Sequence, residues 1–185
     1  VTAILEGKTD NYASSIWKDI ITKIELISGK NYNDSKYTRS MRIIADHIRA
    51  ATFLIGDGVL PSNEGRGYIL RKLIRRAFGV GSRTQEKIFG KDDIFLHKFV
   101  GTVIKTMEEG YPALESKKEY IEKVVRLEEE RFAITLKNGI EILLDEIEDM
   151  KTKGNKKLSS EISFKLYDTY GFPLELTQQV IENEG

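Results

Sequence analysis

Five cationic side chains, Arg66, Arg71, Lys72, Arg75 and Arg76, stand in the helix-length run LPSNEGRGYILRKLIRRAFG, Leu60 to Gly79, where Glu64 is the one acid. Guanidinium groups chelate phosphate oxygens in pairs, and an ammonium adds a point charge, so this run carries chemistry for a polyanion. At 100° per residue, Tyr68, Arg71, Lys72, Arg75 and Arg76 fall within a sector of about 140°. Leu70, Leu73, Ile74 and Ala77 take the opposite side. Arg66 falls with them, which assigns it a structural, tightly held role. Tyr68 adds a ring for stacking or a hydroxyl donor. The sector suits a nucleic-acid backbone, although an ordinary solvated helix face would show the same pattern.

The rest of the chain offers no reaction centre. It has no cysteine, which excludes disulfides, thiolate chemistry and cysteine-held zinc. His47 and His97 lie far apart, so no histidine metal site is expected. His47 follows Asp46, as a base follows its orienting carboxylate, but adjacent residues on a helix point in different directions. A surface histidine is expected there. The triplets GDG, GRG and GVG match neither a dinucleotide-binding nor a P-loop pattern and read as helix stops and turns. No catalytic residue and no metal ligand is assigned. No apolar run approaches the roughly 18 residues of a membrane span, and the first residues lack the basic region of a secretory leader. A reducing, cytoplasmic setting fits.

The elements that must position the cations are helical. The chain's 185 residues allow one domain or two small lobes, and their formal net charge is zero. That neutrality hides an asymmetry: Lys30 to Arg83 holds 11 basic and 4 acidic residues, and Met107 to Met150 holds 6 basic and 13 acidic. Periodicity predicts helices over Asn11–Ser28, with Ile16, Ile20, Ile24 and Ile27 on one stripe, and over Thr38–Ile55. The outer face of the latter carries Arg42, Asp46 and Arg49, spaced for a surface charge network. Ser62 or Asn63 should cap the basic helix, Glu64 to Phe78, and Gly79 should stop it. A shorter helix, Asp93 to Met107, is expected to open on the acidic pair Asp92 and Asp93. Ala113 to Lys153 reads as one very long helix or two in line. Its acids form a solvated face opposite a coiled-coil-like seam of Leu136, Ile140, Leu143, Ile147 and Met150. After the connector KGNKKLSS come two short helices, Ile162–Tyr170 and Leu174–Asn183, hinged at Gly171, with Pro173 preset for a first turn. The class expected is all-α: a helical bundle with one long helix and a short helical hairpin at its C-terminal end.

Two stretches make the sequence more specific. IADHIRAATFLIGDGVLPSNEGRGYILRKLIRRA, Ile44 to Ala77, closely resembles the segment of alanyl-tRNA synthetases that follows their class II catalytic core. FKLYDTYGFPLELT, Phe164 to Thr177, resembles a second signature of that family in the right order. EEERFAITLKNGIEILLDE, Glu128 to Glu146, is similar to its long intervening helix. Gly79 to Asp93 and KTKGNKK match only loosely. The opening VTAILEG, residues 1–8 with the lysine that follows, looks like the tail of class II motif 3. The resemblance therefore implies that motifs 1 and 2 and the ATP-holding arginine lie outside the chain. Residues 9–185 would form the helical tRNA-recognition domain, in sub-parts of about 9–110 and 111–185. ATP and magnesium would belong to the absent catalytic core and zinc to an absent editing domain, and the piece would be inactive alone.

The partners the resemblance implies are the acceptor stem of the alanine tRNA and the enzyme's own catalytic and editing domains. It assigns reading of a G·U wobble pair to Asn63 and Asp168, with Arg71, Lys72, Arg75, Arg76 and Tyr68 on the RNA backbone. Arg66, Gly67 and Gly171 match as structural support. The chemistry is sound: a G·U wobble exposes the guanine 2-amino group in the shallow minor groove of A-form RNA, where a carboxylate is its natural acceptor. The competing reading makes Asn63 a helix cap and Asp168 a cap for the hinge. Two other functions compete as well. A protein-interaction module would use the coiled-coil-like seam, and a helix-turn-helix DNA binder would use the basic helix.

Overall fold

The computed structural model describes residues 1–83, 88–90, 93–155, 157–172 and 174–184. Among these every regular element is a helix. Helix α1 spans Thr2–Leu5, and a 3₁₀ turn, Asn11–Ala13, precedes α2, Ser15–Ser28. Asp10 opens that turn by accepting from Tyr12 N at 3.0 Å, which shortens the helix expected from Asn11. Gly29, at φ 67°, closes α2 in the left-handed conformation. Helix α3, Ser35–Gly56, starts earlier than its periodicity suggested, because Asp34 caps it by accepting from Lys36 N at 3.0 Å. Its inner stripe of Met41, Ile44, Ile48, Ala51 and Ile55 is buried.

Helix α4, Gly65–Arg83, runs through Gly79. The expected stop is absent because glycine here serves packing. A side chain on Gly81 would collide with the Phe95 ring, and one on Gly79 would lie 3.4 Å from Leu176. Phe95 stacks between Phe89 and Phe78, at centroid distances of 4.0 and 5.6 Å, and Phe132 meets Phe78 edge-on at 6.0 Å. This aromatic cluster is the centre of the core.

Residues 93–95 are not helical. A 3₁₀ turn, Leu96–Phe99, leads instead into α5, Val100–Met107. Asp92 lies outside the described residues, and Asp93 turns back to accept from Gly90 N at 2.8 Å. The anion at this helix start is Glu129, from elsewhere in the chain. Its side chain is fully buried and accepts from the backbone N–H of Phe95, Leu96 and His97 at 3.0, 2.7 and 3.1 Å.

Beyond a 3₁₀ turn, Pro112–Lys117, helix α6 runs unbroken over Lys118–Lys153, 36 residues or about 54 Å. Its far half carries the seam, and Leu136, Leu143 and Ile147 are buried. They pack against the chain's own C-terminal hairpin, α7, Ser160–Asp168, and α8, Leu174–Glu184. The surface an interaction module would have used is therefore already covered. Gly139 makes that docking close, since a side chain there would lie 2.8 Å from the Phe172 ring. Gly171, at φ 58°, turns the chain between the two helices, and Pro173 lies outside the described residues.

Candidate nucleic-acid interface

A cleft of about 1030 Å³ opens between α4 and the α7–α8 hairpin. Asn63, Tyr68, Arg71, Lys72, Arg75, Arg76, Asp168 and Gly171 all line it, so residues far apart in sequence share one wall-to-wall space. The α3–α4 pairing holds one wall and the seam of α6 holds the other.

Asn63 lies in the turn before α4 and is exposed. It does not cap the helix: its Oδ1 accepts a hydrogen bond from Arg71 Nη1, while Ser62 makes the local turn with Glu64. Arg71 Nη2 also reaches the Pro61 carbonyl at 3.4 Å. With its oxygen committed to a guanidinium, the Asn63 amide keeps its NH₂ as a donor. Asp168 is the last residue of α7, exposed, and its carboxylate has no partner among the described residues. The hinge is closed by the backbone instead, Phe172 N donating to Leu166 O at 2.9 Å. Asp168 is therefore not a cap either.

The cations separate into kinds that helical angle alone did not distinguish. Lys72 is exposed on the cleft wall. Arg71 and Arg75 are held from beneath by Glu128, whose side chain is 2% exposed. Arg75 Nε donates to Glu128 Oε1 at 2.8 Å, and Arg71 Nε lies 3.3 Å from the same oxygen as an ion pair without hydrogen-bond alignment. The Arg75 guanidinium also stacks on Phe132, 4.9 Å from the ring centroid. Arg76 is half-buried and borders both the cleft and a neighbouring hollow of about 530 Å³ that Arg39 and Arg42 share.

Tyr68 and Tyr167 join hydroxyls at 2.9 Å, bridging α4 and α7. That bond holds the Tyr68 phenol above its ordinary pKa. Gly67 is buried and could carry no side chain, because a Cβ would collide with Ser62 Oγ and the Leu60 carbonyl. At Gly171 a Cβ would strike Arg75 Nη1. Arg66 departs from expectation. It is exposed and is not among the residues that line the cleft.

Three further expectations change. His47 is buried, and its Nδ1 does meet Asp46 Oδ2, at 3.0 Å. That bond lowers the Asp46 pKa. The charge network expected along α3 is instead divided among other elements. Arg42 pairs with Asp10 and donates to Tyr32 Oη at 2.7 Å, and Arg49 lies over Trp17. Finally, the acids of α6 are not all solvated, as Glu128 and Glu129 show. A signal for them was present: the buried stripe Ile121, Val125, Phe132, Leu136 skips one turn, and these two acids fill it.

A helical scaffold thus lines one cleft with arginine, lysine, amide and carboxylate, and sequence comparison gives the family. The family model of class II tRNA synthetases (A) matches residues 1–185, and the chain belongs to that family. Among curated relatives, the alanine–tRNA ligase of Fusobacterium nucleatum subsp. nucleatum is 45% identical over 186 residues, covering 100% of this chain and 21% of the relative. That of Streptococcus thermophilus is 46% identical over 185 residues, with the same coverage. That of Clostridioides difficile is 47% identical over 182 residues, or 98% of this chain and 20% of the relative. The chain thus spans about a fifth of the length of the curated relatives it matches.

Proposed function

We propose that this chain is the helical tRNA-recognition part of an alanine–tRNA ligase and reads a G·U wobble pair in the acceptor stem. The supporting observation is the meeting of Asn63 and Asp168 in one cleft walled by Arg71, Lys72, Arg75 and Arg76. Asp168 offers a carboxylate with no partner among the described residues, as an acceptor for the guanine 2-amino group. The Asn63 amide, its oxygen taken by Arg71, offers a donor to the uracil carbonyl. Lys72 and the outer edges of the arginines hold the phosphates, a contact that fixes register and carries no sequence information. A G·C pair occupies the same amino group with its partner base, so Asp168 gains less from it.

In the whole enzyme this reading would license ATP-dependent attachment of alanine, with chemistry performed outside these residues. The ATP, magnesium and zinc that the resemblance implies would be held outside these residues. The chain lacks cysteine, and no group of three His, Asp or Glu able to hold a metal ion is present among the described residues. No helix among the described residues is long and apolar enough to cross a membrane.

Binding of acceptor minihelices that differ only in G·U or G·C, measured across a salt series, tests the reading. Asp168→Ala should remove the G·U preference, roughly a tenfold effect for one base-edge contact. Lys72→Ala should weaken both stems alike and reduce the salt slope by about one. Equal binding of both stems by the unmodified chain, or equal competition by duplex DNA, would sink it.

A further inference from the structure

Glu128 takes no part in the reading above, yet both of its arms lead back to this one carboxylate. It sits where α6 crosses beneath α4 and is almost wholly buried. An acid so placed is tolerated only when paired. Its Oε1 serves two guanidinium groups at once, Arg75 at 2.8 Å and Arg71 at 3.3 Å. Each fork then reaches outward. Arg71 Nη1 donates to Asn63 Oδ1. Arg75 Nη1 donates to the Tyr170 carbonyl at 3.3 Å, in the turn that follows Asp168, and fills the space that a side chain on Gly171 would need. The guanidinium is planar and rigid, so each fork fixes a distance as well as a direction. Two arginines against one carboxylate also leave a positive surplus facing the cleft.

We propose, resting on the base-reading roles of Asn63 and Asp168, that Glu128 is the positioning residue that sets the gauge between them, through Arg71 on one side and Arg75 on the other. It touches no RNA. Glutamine at this position keeps the volume but loses the charge that gathers both forks. The arginines then turn towards solvent and phosphate, the Asn63 amide loses its anchor, and the turn after Asp168 loses its tie to α4. Phosphate holding survives, and discrimination does not.

The experiment compares G·U and G·C minihelices on the full chain and on its Glu128→Gln and Arg71→Lys variants, and follows the Asn63 side-chain amide by NMR without RNA. Arg71→Lys keeps the positive charge, removes the fork and leaves Glu128 paired with Arg75, so it serves even if Glu128→Gln does not fold. The G·U preference should fall roughly tenfold in each variant, and in Glu128→Gln the G·C affinity and its salt slope should hold. The Asn63 amide resonance should move in Glu128→Gln although the two side chains do not touch. Undiminished preference in Arg71→Lys, or in folded Glu128→Gln an unmoved Asn63 resonance or parallel losses for both stems, would overturn the proposal. An unmodified chain without G·U preference is a separate result. It removes the base reading itself, and the Asn63 resonance then decides whether Glu128 positions that amide.

Discussion

The Tyr68–Tyr167 bridge is the contact at which single side chains close the cleft. The bond between the two oxygens needs at least one phenol to keep its proton as donor. The bond raises the Tyr68 pKa above its ordinary 10.0. A raised folded-state pKa means the contribution is complete below pH 10.0 and is lost as pH climbs through the higher folded value. Tyr167→Phe should therefore bring one tyrosinate transition down to the ordinary range in an ultraviolet absorbance titration. Superposable curves for the two proteins would contradict the bridge. The residue types at this site were legible in sequence; their pairings were not. Helical angle placed Arg71 and Arg75 on the sector with Lys72, and they do line the same cleft. That Glu128 would draw both of them inward depends on an element more than fifty positions downstream, about which local spacing carries no information. Arg66 erred the other way, because facing the apolar side of a helix buries a residue only where something packs above it.

At the scale of elements, the existence of the helices followed from periodicity, and their ends did not. Ends are set by single side chains such as Asp34, and by partners from elsewhere such as Glu129. Gly79 was misread as a stop because glycine's service to ring packing and its service to helix termination look identical in one dimension. Glu129 gives the sharpest test of this scale. Glu129→Ala strands three backbone N–H groups beside a buried site and should cost about 3–5 kcal/mol in urea denaturation. Its neighbour Glu130 makes only a surface pair with Arg126, at 2.8 Å, and Glu130→Ala should change stability by less than about 1 kcal/mol. Similar losses for the two would refute the buried cap.

For the whole molecule, the division of labour runs between the body, α2 to the near half of α6, and the hairpin that docks on the far half. Phe172, 1% exposed, is the anchor of that docking against Gly139. Phe172→Ala should cost about 3–5 kcal/mol locally. Limited proteolysis should then cut within residues 157–184 while the body stays protected, and minihelix binding should persist with its G·U preference gone. Loss of the body's protection in step with the hairpin would show one cooperative unit instead. Gly139 also bears on the order of folding. The body precedes the hairpin along the chain, and the Phe172 ring reaches its seat only after α6 is complete and the chain has reversed. On the proposed base reading, a nascent chain would acquire its grip on RNA before its judgement, and for that interval would be an indiscriminate binder.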